Sequence, residues 1–344
     1  MKSNKSHIVI LKNDAVGDLV HSLPTIYSIV NNDKDTKITL FLSKQSKGFD
    51  FFFDNKKINI KIINNNLTIL EKVKLFIFFI LNQIDKVFIL APKEYFFYLP
   101  FFFRKIKFFA ICINNINNYK RPKEFLRNYL FKYKINHRDA VFKRLPSADL
   151  QFSLCNEKNL EKKNFNFSPH ISTKLKEKLP SNYIYFHVKK KITDELGWGI
   201  NELKNLFNKF TDFYPKVILT KDNEIDENNL IFKQNFNFFD LKTCEFINNK
   251  SKILFINNIE GKDLYNVIKF SKKVVAFHGM MTNLGSLEYK PVIDLFYCKI
   301  SSWNDYRNYR NSFYEFKPKY KGYNFIIPSK DINRTLKKIT FLLK

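Results

Sequence analysis

The chain reads as an α/β protein of two domains, and three observations carry that expectation. The β-branched apolar run Ile8-Val9-Ile10-Leu11-Lys12 passes through the polar turn Asn13-Asp14-Ala15-Val16-Gly17-Asp18 into the helical pattern Leu19-Val20-His21-Ser22-Leu23-Pro24, a first strand-turn-helix unit. The same rhythm returns along the chain. Its 344 residues are long for one domain and sufficient for two, each burying a core of its own.

Taken in order, residues 37–43 read as a strand, 67–82 as a helix, 86–90 as a strand ending before Ala91-Pro92, and 107–113 as another strand. Residues 153–180 carry Asn156-Glu157-Lys158-Asn159, Glu161-Lys162-Lys163-Asn164, Pro169 and Pro180, and read as the polar connection between domains. The domains are therefore expected over residues 1–160 and 175–330. The second opens with the strand Tyr183-Ile184-Tyr185-Phe186-His187-Val188, then the loop Lys189-Lys190-Lys191-Ile192-Thr193, then a helix from Gly199. A strand follows from Lys216, and Lys273-Val274-Val275-Ala276-Phe277 is another, leading through a glycine turn into a helix start rich in small residues. Lys290-Pro291 introduces the next strand, and residues 331–344 read as a terminal helix. No internal repeat is visible beyond this rhythm.

Composition narrows the class. No apolar run reaches the roughly eighteen residues that span a bilayer, because Asn82, Asp85 and Lys86 stop the segment around Leu75 to Leu81. Residues 1–7 lead straight into the first strand without a signal peptide's apolar core, so a cytoplasmic protein is expected. Cys112, Cys155, Cys244 and Cys298 show no paired metal spacing and read as free thiols in a reducing compartment. The formal net charge of +27, from 59 Lys and Arg against 32 Asp and Glu, implies a polyanionic partner, although Lys, Asn, Ile and Phe also dominate together as in an AT-rich coding sequence. A membrane surface bearing phosphorylated lipid is the expected partner, and nucleic acid is not, since no recognition motif accompanies the spread of basic residues. Of the 39 phenylalanines most are expected in the core, but residues 101–109 interleave rings with Arg104, Lys105 and Lys107, the composition of a segment lying on an anionic interface.

In open α/β sheets the ligand sits outside the carboxyl ends of the strands, which places Asp18 at the mouth of a cleft. An N-cap at Asp14 and a dipole-favoured acid at Asp18 would give the same pattern with no chemistry. The segment Lys12-Asn13-Asp14-Ala15-Val16-Gly17-Asp18-Leu19-Val20-His21-Ser22-Leu23-Pro24-Thr25-Ile26 resembles the opening of the lipopolysaccharide heptosyltransferases, glycosyltransferase family 9. The resemblance implies a GT-B fold, two facing Rossmann-like domains with parallel sheets, the first binding the acceptor and the second the nucleotide sugar. It makes Asp18 the general base and places Lys12, Asp14, Gly17 and His21 beside the acceptor. In that family a helix beginning with a His closes the acceptor domain, which His137-Arg138-Asp139-Ala140-Val141 resembles, and in GT-B enzymes a terminal helix such as 331–344 often crosses back onto the first domain.

The second domain extends the resemblance. In the family a hydroxyl- and lysine-bearing loop before a Trp neutralises the donor diphosphate, which here implies Lys189, Lys190, Lys191 and Thr193 ahead of Trp198; three consecutive lysines are by themselves more often a solvated turn than a binding site. Glu224 is the nearest match to the family's acid near the donor nucleoside, and solvent exposure would explain it equally well. The run Phe277-His278-Gly279-Met280-Met281-Thr282-Asn283, followed by Lys290-Pro291 and Leu295-Phe296, resembles the family's donor signature, Asp-Thr-Gly-x-x-His before an alanine-rich helix and Lys-Pro-x-x-x-Leu-Phe. It departs from it where Phe277 replaces the Asp, His278 the Thr and Thr282 the His. Backbone N–H groups of Gly279 to Thr282 at a helix N-terminus would suit a diphosphate, with His278 as either a substitute phosphate ligand or a structural histidine.

The expected protein is thus an inverting, metal-independent glycosyltransferase with no cofactor. It uses a nucleotide sugar, possibly ADP-linked, as donor and a lipid-linked glycan of lipopolysaccharide-core type as acceptor, at the inner face of the cytoplasmic membrane. The alternative is an inactive protein of the same fold that binds an anionic glycan or lipid surface.

Overall fold

β1 (His7–Lys12) is buried along its whole length, as a near-continuous apolar run must be when both faces of a parallel strand are covered. The computed structural model describes residues 6–32, 36–53, 58–91, 93–112, 133–136, 147–155, 173–221, 237–240, 245–246, 252–256, 259, 261–297 and 322–344. The chain divides into two units, residues 1–169 with 314–317 and residues 170–313 with 318–344. In the first unit β1 pairs with β2 (Lys37–Ser43) on one side and β4 (Lys86–Ile89) on the other, with Ile8 opposite both Ile38 and Lys86. With β3 (Ile58–Ile63), β5 (Lys107–Cys112) and β6 (Tyr133–Asn136) the sheet has the order β3-β2-β1-β4-β5-β6 and is parallel throughout. Strand order reverses between β1 and β4, and a crevice opens at such a switch point.

Two helices of this unit bear on function. α1 (Val16–Asn32) follows β1 directly and carries Pro24 inside it. α2 (Ile69–Leu81) starts on a capping box, in which Glu71 N donates to Thr68 Oγ1 at 3.2 Å and Thr68 N donates to Glu71 Oε2 at 2.9 Å. Its Leu75 and Phe79 enter the core with Leu11, Val87, Phe96 and Phe108. Residues 101–109 do not form one interfacial element. Phe101 and Phe102 are exposed at the end of the short helix α3 (Leu99–Phe102), whereas Phe108 lies on β5 and stacks on Phe79 in the core. Strand alternation turns Phe108 inward, so only the beginning of that segment keeps rings and cations together at the surface. A 3₁₀ run over Lys44–Phe53 buries Phe49, Phe52 and Phe53.

The second unit repeats the plan. Its central strand β7 (Tyr183–Val188) is buried throughout and lies between β8 (Lys216–Lys221) and β12 (Lys273–Phe277). The order β10-β9-β11-β8-β7-β12-β13-β14 includes β9 (Asn237–Asp240), β10 (Glu245–Phe246), β11 (Ile253–Ile256), β13 (Val292–Leu295) and β14 (Tyr323–Ile326). Every pairing is parallel except β9 with β10. The switch point here falls between β7 and β12. Helices α4 (Ser147–Phe152) and α5 (Thr173–Lys178) precede this sheet in the chain, and α6 (Lys190–Leu196), α7 (Ile200–Thr211), α8 (Gly261–Phe270) and α9 (Met280–Leu287) alternate with its strands.

The terminal helix α10 (Ile332–Leu343) belongs to this second unit. Ile332, Ile339 and Leu343 join Leu206, Phe210 and Val217 in one core, and Lys273 Nζ donates to Leu342 O at 2.7 Å. Its apolar stripe is satisfied by the sheet from which it emerges. The expected helix from His137, Glu224, Cys244 and Cys298 lie outside the described residues. No helix among the described residues is long and apolar enough to cross a membrane.

Candidate functional site

The turn after β1 is a polar cluster built on buried groups. Lys12, 1% exposed, places Nζ 2.7 Å from Asp14 Oδ2, and the pairing offsets the cost of burying an ammonium. Asp14 is not the cap of α1. Leu19 N bonds to Ala15 O at 3.0 Å, so Ala15 holds the cap position and the Asp14 carboxylate turns back to Lys12. Ser43 Oγ and Ser46 Oγ pin the turn by donating to Asp14 O at 2.6 and 3.2 Å. Asn13 Nδ2 crosses to the loop after β3, donating to Asn64 O at 2.9 Å and Asn65 O at 3.2 Å, and Lys93 Nζ reaches Asn65 Oδ1 at 2.6 Å. Asn13 Oδ1 and Asp14 Oδ1 are buried with no hydrogen-bond partner among the described residues, an uncommon state that suits groups able to meet a ligand donor.

Asp18 stands half-buried in the first turn of α1, with Gly17 beside it, and Ser22 Oγ donates to its backbone oxygen at 3.1 Å. His21, three residues on, is buried, which leaves it little surface for a ligand. The strand ends of the first unit thus gather Lys12, Asn13, Asp14 and Lys93 at its switch point, with Asp18 at the start of the adjoining helix. Sequence alone flagged Lys12, Asp14 and Asp18 but missed Asn13 and Lys93.

In the second unit the loop lysines part company. Lys190 makes an exposed i,i+4 pair with Asp194, Lys191 is exposed, and the Thr193 hydroxyl folds back on the carbonyls of Lys189 and Lys190. Lys189 crosses to the neighbouring strand end, where its Nζ donates to His278 O. Gly279 makes that approach possible. A Cβ there would lie 2.6 Å from Lys189 Nζ, and its φ of +146° is open in practice only to glycine. An ammonium and the N-terminus of α9 converge on one spot, and both carry positive potential. Thr282 closes the turn, its Oγ1 accepting from Gly279 N at 3.2 Å and lying 2.9 Å from Gly279 O. Its hydroxyl is committed to the cap. Met280 is half-buried, and Met281 and Asn283 are buried in the same first turn.

His278 completes the cluster. Its Nδ1 lies 2.6 Å from Oδ2 of Asp294, which is fully buried on β13, and Tyr323 Oη donates to the same oxygen at 2.5 Å. With its hydrogen on Nδ1 the ring would donate to Asp294 and present Nε2 as an acceptor; the ring is 19% exposed and packs on Phe296 at 4.4 Å between centroids. Beneath the site His187 Nδ1 meets Thr220 Oγ1 at 2.8 Å, and Tyr185 Oη meets the same hydroxyl at 2.6 Å. Burial, aided by the charge of Lys189, pushes the His187 imidazole down to about 3, so it stays neutral. Asp294 and Tyr323 were absent from the sequence-based set. An acid within Val292-Ile293-Asp294-Leu295 was the available signal, because a charge inside a buried strand requires a partner.

No family model matches the chain, and no curated protein matches its sequence. Solved structures do. The ADP-heptose lipopolysaccharide heptosyltransferase II of E. coli superposes with a TM-score of 0.66 at 13% identity, over 98% of this chain and 98% of that one. A glycosyl transferase of family 9 from Veillonella parvula gives 0.64 at 12% identity over 98% and 91%. The UDP-GlcNAc 2-epimerase of Methanocaldococcus jannaschii gives 0.55 at 13% identity over 98% and 93%. The chain therefore has the GT-B-type fold that these glycosyltransferases share with the epimerase, and both of its polar clusters stand at the strand ends of that fold.

Proposed function

We propose that the protein is a glycosyltransferase that moves a sugar from a nucleotide diphosphate donor to a hydroxyl of a lipid-linked glycan. The observation that carries this is the convergence of Lys189, the N-terminus of α9 and the Asp294-held His278 at the switch point of the second sheet. That is the charge and geometry a diphosphate requires. In the step proposed, Asp18 takes the proton of the acceptor hydroxyl as that oxygen bonds to the anomeric carbon. The bond from that carbon to the phosphate oxygen breaks, and the diphosphate leaves with its electron pair and with the configuration inverted. Lys189 and the α9 N–H groups bear the added charge without a metal. On the acceptor side, the buried Asp14 Oδ1 is suited to receive a sugar hydroxyl. An ADP-linked heptose and a lipopolysaccharide-core acceptor at the cytoplasmic face of the membrane are the first substrates to test, on the strength of the E. coli neighbour.

Thermal stabilisation by ADP, UDP, GDP and their sugars tests the proposal, since a ligand at one hundred times its dissociation constant contributes about 2.7 kcal/mol. One nucleotide should shift the melt, and its sugar form should release nucleotide only when an acceptor glycan is present. Conversion of the donor sugar without acceptor would point instead to epimerase chemistry. The altered donor turn, with Phe277 and a committed Thr282, favours one second possibility: an inactive protein that binds an anionic glycan or lipid surface, which no nucleotide would stabilise.

A further inference from the structure

α2 is a helix whose water-facing side is apolar. Ile69, Leu70, Val73, Ile77, Ile80 and Leu81 are all exposed, Ile69 to 80% and Leu81 to 76%. At about 100° per residue these six fall within an arc of roughly 120°, opposite the buried Leu75 and Phe79. The strip continues into α3, where Phe102 is 67% exposed and meets Phe76 edge-on at 5.3 Å between centroids. Soluble monomers rarely carry so continuous an apolar surface without using it.

Its border is cationic. Lys74 on α2 and Arg104, Lys105 and Lys107 after α3 are exposed. At the C-terminal end of the helix an open groove of about 700 Å³ has Phe79, Phe101, Phe102 and Phe103 on its walls, with Arg104 and Lys105 at the same place and Asp85 among its lining residues. Thirteen residues at about 1.5 Å each give a helix of roughly 20 Å, too short to cross an apolar slab of about 30 Å but suited to lie in its surface. The capping box holds the helix formed before any contact is made. A second copy of the chain is the poorer occupant, because each copy brings a net charge of +27 to the same contact.

We propose that the outer face of α2, with Phe101 and Phe102, is a membrane-docking surface that seats the first unit in the interface of an anionic bilayer. Apolar side chains enter the acyl boundary while Lys74, Arg104, Lys105 and Lys107 meet anionic headgroups. The inference extends the lipid-linked acceptor reading but does not need the donor chemistry, so vesicle binding is measured without nucleotide and the ADP-induced melting shift is measured beside it.

The test is co-sedimentation of the full chain with phosphatidylcholine vesicles containing phosphatidylglycerol, against phosphatidylcholine alone, at low and high salt. The parent should bind the anionic vesicles, release partly in salt, and bind neutral vesicles at least tenfold more weakly. Ile69→Gln with Ile77→Gln and Ile80→Gln should weaken binding tenfold or more while keeping the melting temperature, and Phe102→Gln alone should weaken it severalfold. Arg104→Gln with Lys105→Gln and Lys107→Gln should remove most of the salt dependence. Parent-like vesicle binding by the α2 variant would overturn the proposal, as would light scattering showing a parent dimer that the same variant dissociates. A melting shift with nucleotide that survives in a non-binding variant separates this outcome from the donor site.

Discussion

Replacing Gly279 by alanine tests whether the turn after β12 exists to bring an ammonium against a helix start. The backbone there has φ +146° and ψ −144°, and a Cβ would meet Lys189 Nζ at 2.6 Å and Cε at 3.7 Å. Holding an alanine in that region costs about 1–3 kcal/mol. The lysine head must also leave the His278 carbonyl, and because the half-buried side chain can re-enter water we assign that loss only about 1 kcal/mol. A total near 2–4 kcal/mol corresponds to a melting shift of roughly 5–15 °C for a unit of this size. Differential scanning calorimetry of Gly279→Ala, Lys189→Met and the double variant closes a thermodynamic cycle. With methionine at 189 the charged head is gone, so the alanine should then cost only the backbone strain, leaving a coupling of about 1 kcal/mol. Nucleotide stabilisation should fall in both single variants. An alanine cost that is identical in the two backgrounds would refute the close approach, and no cost in either would refute the backbone geometry.

Further outcomes follow from the same structure. Asp18→Asn should retain nucleotide-induced stabilisation but lose about 10²–10⁴ in turnover; a fully active variant rejects Asp18 as base. Transfer activity should persist in EDTA, since Lys189 and the start of α9 are proposed to carry the diphosphate, and an absolute requirement for magnesium or manganese would contradict this. His187 is held neutral in the fold, so the unfolded chain binds the extra proton as pH falls below about 6.5 and stability declines until the folded group titrates near 3. Replacing it with Asn should flatten the melting profile over that window by at most about 1.4 kcal/mol per pH unit, and parallel profiles would sink the assignment. Gly285 lets α9 lie close to its sheet, because a Cβ would meet Val274 Cγ2 at 2.9 Å and Val292 Cγ2 at 3.2 Å. Gly285→Ala should therefore destabilise by about 1–3 kcal/mol, and Val274→Ala in the same chain should restore part of it, as read by denaturant midpoints.

What was legible in the sequence is what a local pattern encodes. The apolar runs of β1, β2, β4, β7 and β12 are central strands buried on both faces, and their contrast with the flanking polar turns marks them. β3 was missed because Ile58–Ile63 has an Asn and a Lys between isoleucines on an edge strand, and this chain uses Asn and Lys in strands as freely as in turns. β14, Tyr-Asn-Phe-Ile, escaped for the same reason. α2 was recognised as a helix, but its sequence does not separate the apolar residues that face water from those that are covered; that depends on there being one neighbouring layer, here taken up by Leu75 and Phe79.

At the candidate site the division is sharper. The lysine run, the glycine turn and the histidine were visible as residue types, yet Lys189, Lys190 and Lys191 are chemically identical in sequence. Only the fold separates them: Lys189 ends its strand beside β12 and reaches a residue 89 positions away, while Lys190, one place on, begins a helix and pairs with Asp194 in solvent. Asp294 and Tyr323 became part of the site because parallel pairing of β12 with β13 and of β13 with β14 brings them under His278. Periodicity and turn chemistry act over a few residues and so determine elements. Strand order acts over the whole chain, and it alone decides which turns meet at a switch point and which side chains share a charge there.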